Sequence, residues 1–312
     1  MAWVVGIDEA GYGPNLGPFV MTAVACRLPD GLTGPELWQT LAKTVRRAAD
    51  PDDGRLLIDD SKLVHAHGLS ALEFGVLTAL GGAAATTLSA FLDGHFNSSH
   101  AELRRECWYG GQTGLPVEIE LPTCAELRQR WRGHDTLAWA APQGVVVCAE
   151  RFNDLTEQGK SKGAVLSHCL GELLCAAVKA PGDEPMAVYI DKHGGRNFYG
   201  PMLQQILPDC FVLARQESMN CSTYEIRGAP RQLTVTFEPR ADAAHICVAL
   251  ASMVSKYLRE VLMQEFNAFW LARVPGLKPT AGYPNDARRY YKAIQPSMAE
   301  LGVSERAVWR AK

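Results

Sequence analysis

Several common signals are missing from this sequence. None of its nine cysteines stands in a Cys-x-x-Cys pair, so zinc-site spacing is absent, and an odd, scattered set makes a poor disulfide framework. Such thiols read as reduced, small and mostly buried. No apolar run reaches the roughly 18 residues of a membrane span. The N-terminus has no basic segment ahead of its short apolar run, so no secretory signal is expected. The expected location is the cytoplasm, with no membrane contact; no organic cofactor is expected either. A dominant charge is also lacking. Lys and Arg number 31 against 34 Asp and Glu, a formal net charge of −3. That balance gives no global pull toward nucleic acid and leaves any such partner to a local basic face.

What is present is an ordinary globular composition, 47% hydrophobic over 312 residues, enough for one large domain or two small ones. Residues 3–7 are a short β-branched apolar run closed by Asp8 and Glu9, the pattern of a buried strand. Residues 18–28 read as a second strand, and the short Gly- and Pro-rich link makes the two antiparallel neighbours. Helical spacing marks 35–48, with Leu37, Leu41 and Val45 four apart, and 68–82; residues 52–63 read as an exposed loop. Residues 145–148, 187–190, 210–214 and 233–237 read as strands, and 161–178 as a buried helix. Residues 245–269 read as a long helix with Asp242 as its N-cap signal, and 286–294 as a short helical tail. Residues 84–143, with Trp108, Trp131 and Trp139, read as an inserted subdomain or elaborated loop. The order of elements predicts an α/β fold with a mixed sheet, residues 1–83 and 144–312 forming one domain around the insertion.

Four carboxylates stand out by position. Asp8 and Glu9 end the first strand, Asp191 ends a later one, and Asp242 opens a helix. Strand ends and helix starts of α/β sheets meet at one edge, where ligands bind. Each residue taken alone reads as a solvated turn residue or a helix cap. Together in one cleft they would repel one another and raise one another's pKa values, a state that divalent cations relieve.

The motifs carry a more specific reading. Residues 6–19, from Gly6-Ile7-Asp8-Glu9-Ala10-Gly11-Tyr12-Gly13 to Gly17-Pro18-Phe19, resemble the opening motif of the ribonuclease HII/HIII family. Asp60-Ser61-Lys62-Leu63 resembles the family's Asp-Ser-Lys loop, and Phe152-Asn153 falls where a family asparagine precedes a helix. Tyr189-Ile190-Asp191 is similar to the strand ending in the third catalytic Asp. Asp242 with Ala249, Ala251, Ser252 and Lys256 behind it resembles the fourth, and Gly282-Tyr283-Pro284 resembles a segment near the family's C-terminus. The resemblance spans most of the chain in the family's order.

It implies a ribonuclease H-like mixed sheet flanked by helices and a metal-dependent endonuclease that hydrolyses the RNA strand of RNA–DNA hybrids. Asp8, Glu9, Asp191 and Asp242 would hold two Mg²⁺ or Mn²⁺ ions, with Asp8 shared between them. The amides around Gly11, Tyr12 and Gly13 would meet the 2′-hydroxyl, Lys62 a phosphate, and Tyr283 the neighbouring sugar. Three departures bear on this. Tyr12 stands where ribonuclease HII usually has Arg, the 84–143 segment is extra, and the family's C-terminal His-Arg segment is matched only loosely by Glu305, Arg306 and Arg310. The extra N-terminal domain of ribonuclease HIII is not expected. Two other readings stay open: the same fold acting on another structured nucleic acid, or a binding protein that has lost turnover. Blander roles are read for His193 as a loop histidine and Glu217 as a surface acid. The cations Lys192, Arg196, Arg215, Arg227, Arg231 and Arg240 form either a phosphate-tracking face or a solvated surface.

Overall fold

The first strand sets the frame of the molecule. The computed structural model describes residues 1–47, 53–80, 86–119 and 137–311. β1 (Ala2–Ala10) runs antiparallel to β2 (Phe19–Leu28), as the short link between them predicts. Off the sheet, β3 (Val45–Arg46) and β4 (Leu56–Leu57) pair with each other. β5 (Ala138–Trp139) and β6 (Gln143–Val147) both pair with β2. On its other side β1 is parallel to β7 (Met186–Asp191). The sheet ends in β8 (Phe211–Glu217), β9 (Ser222–Arg227) and β10 (Leu233–Glu238), with β10 parallel to β7 and the β9 and β8 hairpin outside it. This is the mixed α/β sheet expected from the sequence.

Side chains alternate across the sheet and bury two apolar layers. Val4, Val20, Val24 and Val146 face one layer, built mainly on the 26-residue helix Ile246–Leu271 together with Leu69–Leu80. Val5, Ile7, Met21, Val188 and Ile190 face the other, covered by Gly163–Lys179 and Gly200–Ile206. Gly6 is a point of contact with the long helix. A Cβ there would lie 2.2 Å from backbone atoms of Cys247 and Val248, so only glycine lets the helix press onto the strand.

The described residues of the 84–143 segment pack on the same first layer. Leu88, Phe91, Leu92, Phe96, Leu103 and Trp108 are buried there, and Trp108 meets Phe266 of the long helix edge-on at 5.6 Å. Ser99 accepts a hydrogen bond from the backbone N–H of Val146 in the sheet at 2.9 Å. Trp131 lies outside the described residues.

Several local expectations are corrected. Of the helix expected over 35–48 only the single turn Leu37–Thr40 forms, because Val45 and Arg46 are drawn into the β3 and β4 pair. Residues 61–63 leave the expected loop: Asp60 accepts from the Lys62 N–H at 2.7 Å and caps a short helix, Ser61–His65. Asp242 is not the cap of the long helix. It lies in a separate turn, Ala241–Ala244, entered through Arg240 in a left-handed conformation, and His245 precedes the long helix. Asn153 lies within a helix, Ala149–Gln158, rather than ahead of one. The tail extends over Pro284–Leu301, and β9 was not foreseen.

Candidate active site

The register of the parallel strands brings the carboxylates together. Ile7 of β1 pairs with Ile190 of β7, so Asp8 and Asp191 leave adjacent strands at the same level. Asp191 in turn pairs with Glu238 of β10. Its Oδ1 accepts from the N–H of Lys192 at 3.0 Å and of Ala241 at 3.4 Å, which ties the Asp242 turn to the strand end. Asp242 is anchored by the Ala243 N–H at 2.9 Å.

Asp191 is the common neighbour, acting on Asp8, Glu9 and Asp242. Burial pushes Asp8 well above the usual carboxylate range, Glu9 and Asp191 add to this, and a hydrogen bond from Ser252 opposes it. Glu9 is pushed up to about 7 by burial and by Asp191. Burial raises Asp191 against the pull of neighbouring backbone N–H groups. Asp242 is raised by burial, then by Asp60, with a further contribution from Asp191. Lys62, exposed on its short helix, pulls Glu9, Asp191 and Asp242 the other way. The all-oxygen donor set suits a hard divalent cation. The carboxylates are not drawn into a closed cage, however: among the described residues no three or more Asp, Glu, His or Cys side chains stand at metal-ligand spacing.

The predicted recognition residues border this cluster. Gly11 takes a left-handed conformation, φ +87, and a Cβ there would lie 2.7 Å from the Pro18 carbonyl oxygen. Tyr283, 47% exposed, comes from near the other end of the chain to lie 3.7 Å from where a Cβ on Gly13 would be. Tyr12 packs edge-on against Phe19, and the Lys162 ammonium lies 4.7 Å from its ring centre. A cation therefore stands beside Tyr12 although Tyr12 itself carries none.

Asp60 and Ser252 were not singled out for this cluster, and both belong to its surroundings. The sequence held a clue: Ser252 and Ser255, three apart, interrupt the apolar long helix on the side that meets β1. Ser252 Oγ bonds Ser61 Oγ at 3.0 Å, and Ser255 Oγ donates to the Asp8 carbonyl at 3.0 Å.

Other candidates are bland. His193 meets the stacked rings of Tyr199 and Phe237 edge-on, and burial lowers its pKa to about 4. Glu217 accepts from the Tyr224 hydroxyl at 2.5 Å. Four of the six cations after Asp191 are engaged by groups of the protein itself. Lys192 bonds Asn197 and Ser218, Arg215 and Arg227 flank Glu225, and Arg231 is buried against the carbonyls of Ala180 and Gly182.

No protein-family model matches the sequence, and no curated protein matches it. Solved structures similar to the chain include ribonuclease H2 from Pyrococcus horikoshii OT3, 14% identical over 98% of this chain and 92% of that one, with a TM-score of 0.48. A PCNA:RNase HII complex from Archaeoglobus fulgidus matches at 16% identity over 99% and 94%, TM-score 0.43. Bst-RNase HIII in complex with Mn²⁺ matches at 17% identity over 99% of this chain and 66% of its own length, TM-score 0.44. These similar structures are ribonucleases HII and HIII.

Proposed function

We propose that this protein is a divergent endonuclease of the ribonuclease HII/HIII type, hydrolysing the RNA strand of RNA–DNA hybrids with Mg²⁺ or Mn²⁺. The observation that carries the reading is the meeting of Asp8, Glu9, Asp191 and Asp242 at one sheet edge, each held above its ordinary pKa range. Structural ion-pair networks also perturb pKa values. Here three of the four have carboxylate neighbours among their causes, and the side-chain cation that opposes them is the exposed Lys62, which leaves Asp8 without one and favours a cation site over a structural network.

Two divalent cations, when bound, supply charge neutralisation and Lewis acidity for attack of water on a phosphodiester. Asp8, Glu9, Asp191 and Asp242 would hold them. Ser252 and Ser255 keep Asp8 and its backbone in place from the long helix. Lys62 meets a substrate phosphate. The backbone at Gly11 and Gly13 approaches the ribose, where the 2′-hydroxyl distinguishes RNA from DNA, and exposed Tyr283 packs on the neighbouring sugar. The products are a 5′-phosphate and a 3′-hydroxyl, and the setting is the cytoplasm, in keeping with the free thiols of the described cysteines.

The test is to incubate purified protein and Mg²⁺ or Mn²⁺ with labelled RNA–DNA, DNA–DNA and RNA–RNA duplexes. Cutting of the RNA strand of the hybrid supports the reading. Preferred cutting of another duplex favours a second reading, an altered substrate, which the Tyr12–Lys162 pair in the recognition loop motivates. Tight binding with no cutting of any duplex would sink the enzyme reading.

A further inference from the structure

The C-terminal segment returns to the glycine turn as a strap. Buried Asn153 donates from Nδ2 to the carbonyls of Arg306 at 3.2 Å and Trp309 at 2.9 Å, and its Oδ1 accepts from the Ala311 N–H at 2.8 Å. From the strap, the backbone N–H of Arg310 donates to the Asn15 carbonyl at 2.8 Å, and Asn15 Nδ2 donates back to the Arg310 carbonyl at 3.0 Å. The Arg310 side chain passes underneath, over the Phe152 ring, and its Nη2 donates to the Pro14 carbonyl. Arg259 arrives from the long helix and donates to the carbonyls of Leu16 at 3.4 Å and Ala281 at 2.9 Å. A Cβ on Gly11 would lie 2.5 Å from Arg259 Nε, so this guanidinium is the floor beneath Gly11. The Gly282 carbonyl accepts from the N–H groups of Asn15 and Leu16 at 2.8 and 3.2 Å, which joins the Tyr283 segment to the same loop.

The Pro14 and Leu16 carbonyls are therefore each held by a guanidinium, and the Asn15 carbonyl between them by the Arg310 backbone N–H. The arrangement is costly. Both side chains are 1% exposed, and among the described residues Nε and Nη1 of each lack a hydrogen-bond partner, the nearest carboxylate to Arg259 being Glu260 at 3.7 Å from Nη1. Apolar residues of similar volume would fill such a space at lower cost. What a rigid guanidinium does that they cannot is fix the direction of a carbonyl, and with it the orientation of the adjoining peptide planes.

We propose that Arg310 and Arg259 are positioning residues that hold the Gly11–Gly13 turn and Tyr283 in one register, so that a ribose is gripped between backbone and ring. The inference rests on the hybrid-cutting reading, and its test separates the two. Natural protein, Arg310→Lys, Arg310→Met and Asn153→Ala are compared. The Asn153 change loosens the strap from its far side, without touching the loop, in case the arginine variants do not fold. Hydrogen exchange is followed first, in metal-free protein. Arg310→Met and Asn153→Ala should speed exchange roughly tenfold in segments 11–17 and 280–284 while 186–191 is unchanged. Steady-state cleavage of a hybrid is followed second. Arg310→Met should raise KM and lower the preference for hybrid over DNA duplex, each by roughly tenfold, with Arg310→Lys recovering part of both. Unchanged exchange at 11–17, or equal acceleration at 186–191, overturns the inference whatever the activity. Natural protein that leaves the hybrid uncut overturns the nuclease reading, and exchange alone then decides the strap.

Discussion

Asp8 and Asp191 leave neighbouring parallel strands at the same level, because Ile7 and Ile190 are paired one residue earlier. Among the described residues neither carboxylate has an arginine or lysine as a close side-chain hydrogen-bond partner. Asp191 is held by backbone N–H groups, and Asp8 leans on Ser252. A folded protein that buries acids this way gives up stability to keep negative charge in place.

Asp8→Asn tests that trade. The variant should lose cleavage of a hybrid by roughly a thousand-fold, the scale of several kcal/mol of transition-state stabilisation. Its melting temperature without metal should rise, since burial and Glu9 hold the native Asp8 charge at a cost. Retained cleavage, or a fall in melting temperature, would contradict the assigned role.

Gly6→Ala should damage the fold rather than the chemistry. The new methyl group meets the backbone of Cys247 and Val248 at 2.2 Å, and backbone cannot rotate away. Denaturant unfolding should show a loss of about 3 kcal/mol, the upper range for overpacking. A loss under about 1 kcal/mol would mean that the long helix shifts freely on β1.

Substrate choice should depend on Lys162. The ammonium above Tyr12 is the nearby replacement for a cation that Tyr12 does not carry. A run of ribonucleotides offers alternative phosphate contacts, whereas a single embedded ribonucleotide offers one register. The natural protein should therefore prefer the run. Lys162→Met should widen the gap roughly tenfold in kcat/KM at one salt concentration, and Tyr12→Arg should narrow it. If Lys162→Met slows both substrates equally, Lys162 has no part in reading a single register.

Stability should fall as pH rises through the range of Glu106. Burial pushes this carboxyl up to about 7 from an ordinary 4.5, while Trp108 Nε1 donates to it at 3.1 Å. Between those values the folded state binds more proton than the unfolded state, so the contribution is present at low pH and lost on the way to pH 7. The full swing is up to roughly 3 kcal/mol. Glu106→Gln should flatten this part of the curve and be the more stable protein at pH 8. Parallel curves for the two proteins would show that Glu106 does not titrate in this window.

Trp108→Ala should unfold more than it disables. The indole is 5% exposed and packs on Phe266. Its removal should cost about 3–5 kcal/mol in denaturant unfolding. A small loss of stability with a large loss of duplex binding would instead make this segment a substrate clamp.

The sequence by itself determined the elements whose signals are local. The apolar run of β1 ending in Asp8 and Glu9, the buried helix Gly163–Lys179 and the long helix Ile246–Leu271 follow from periodicity. So does the position of Asp191 at the end of β7, whereas Asp242, expected to open the long helix, lies in the separate turn Ala241–Ala244. β9 escaped notice because only Tyr224 and Ile226 mark its buried face with large apolar side chains. The helix expected over 35–48 failed because the pairing of β3 with β4 outweighs four-residue spacing. Only the tertiary structure decided which acids meet, since that is fixed by the β1 and β7 register and not by distance along the chain. It alone brought Tyr283 to Gly13 and Arg310 to Pro14. The partners in those last contacts are glycine backbone and a peptide carbonyl, and backbone groups are common to every residue, so no pattern of side chains announces them.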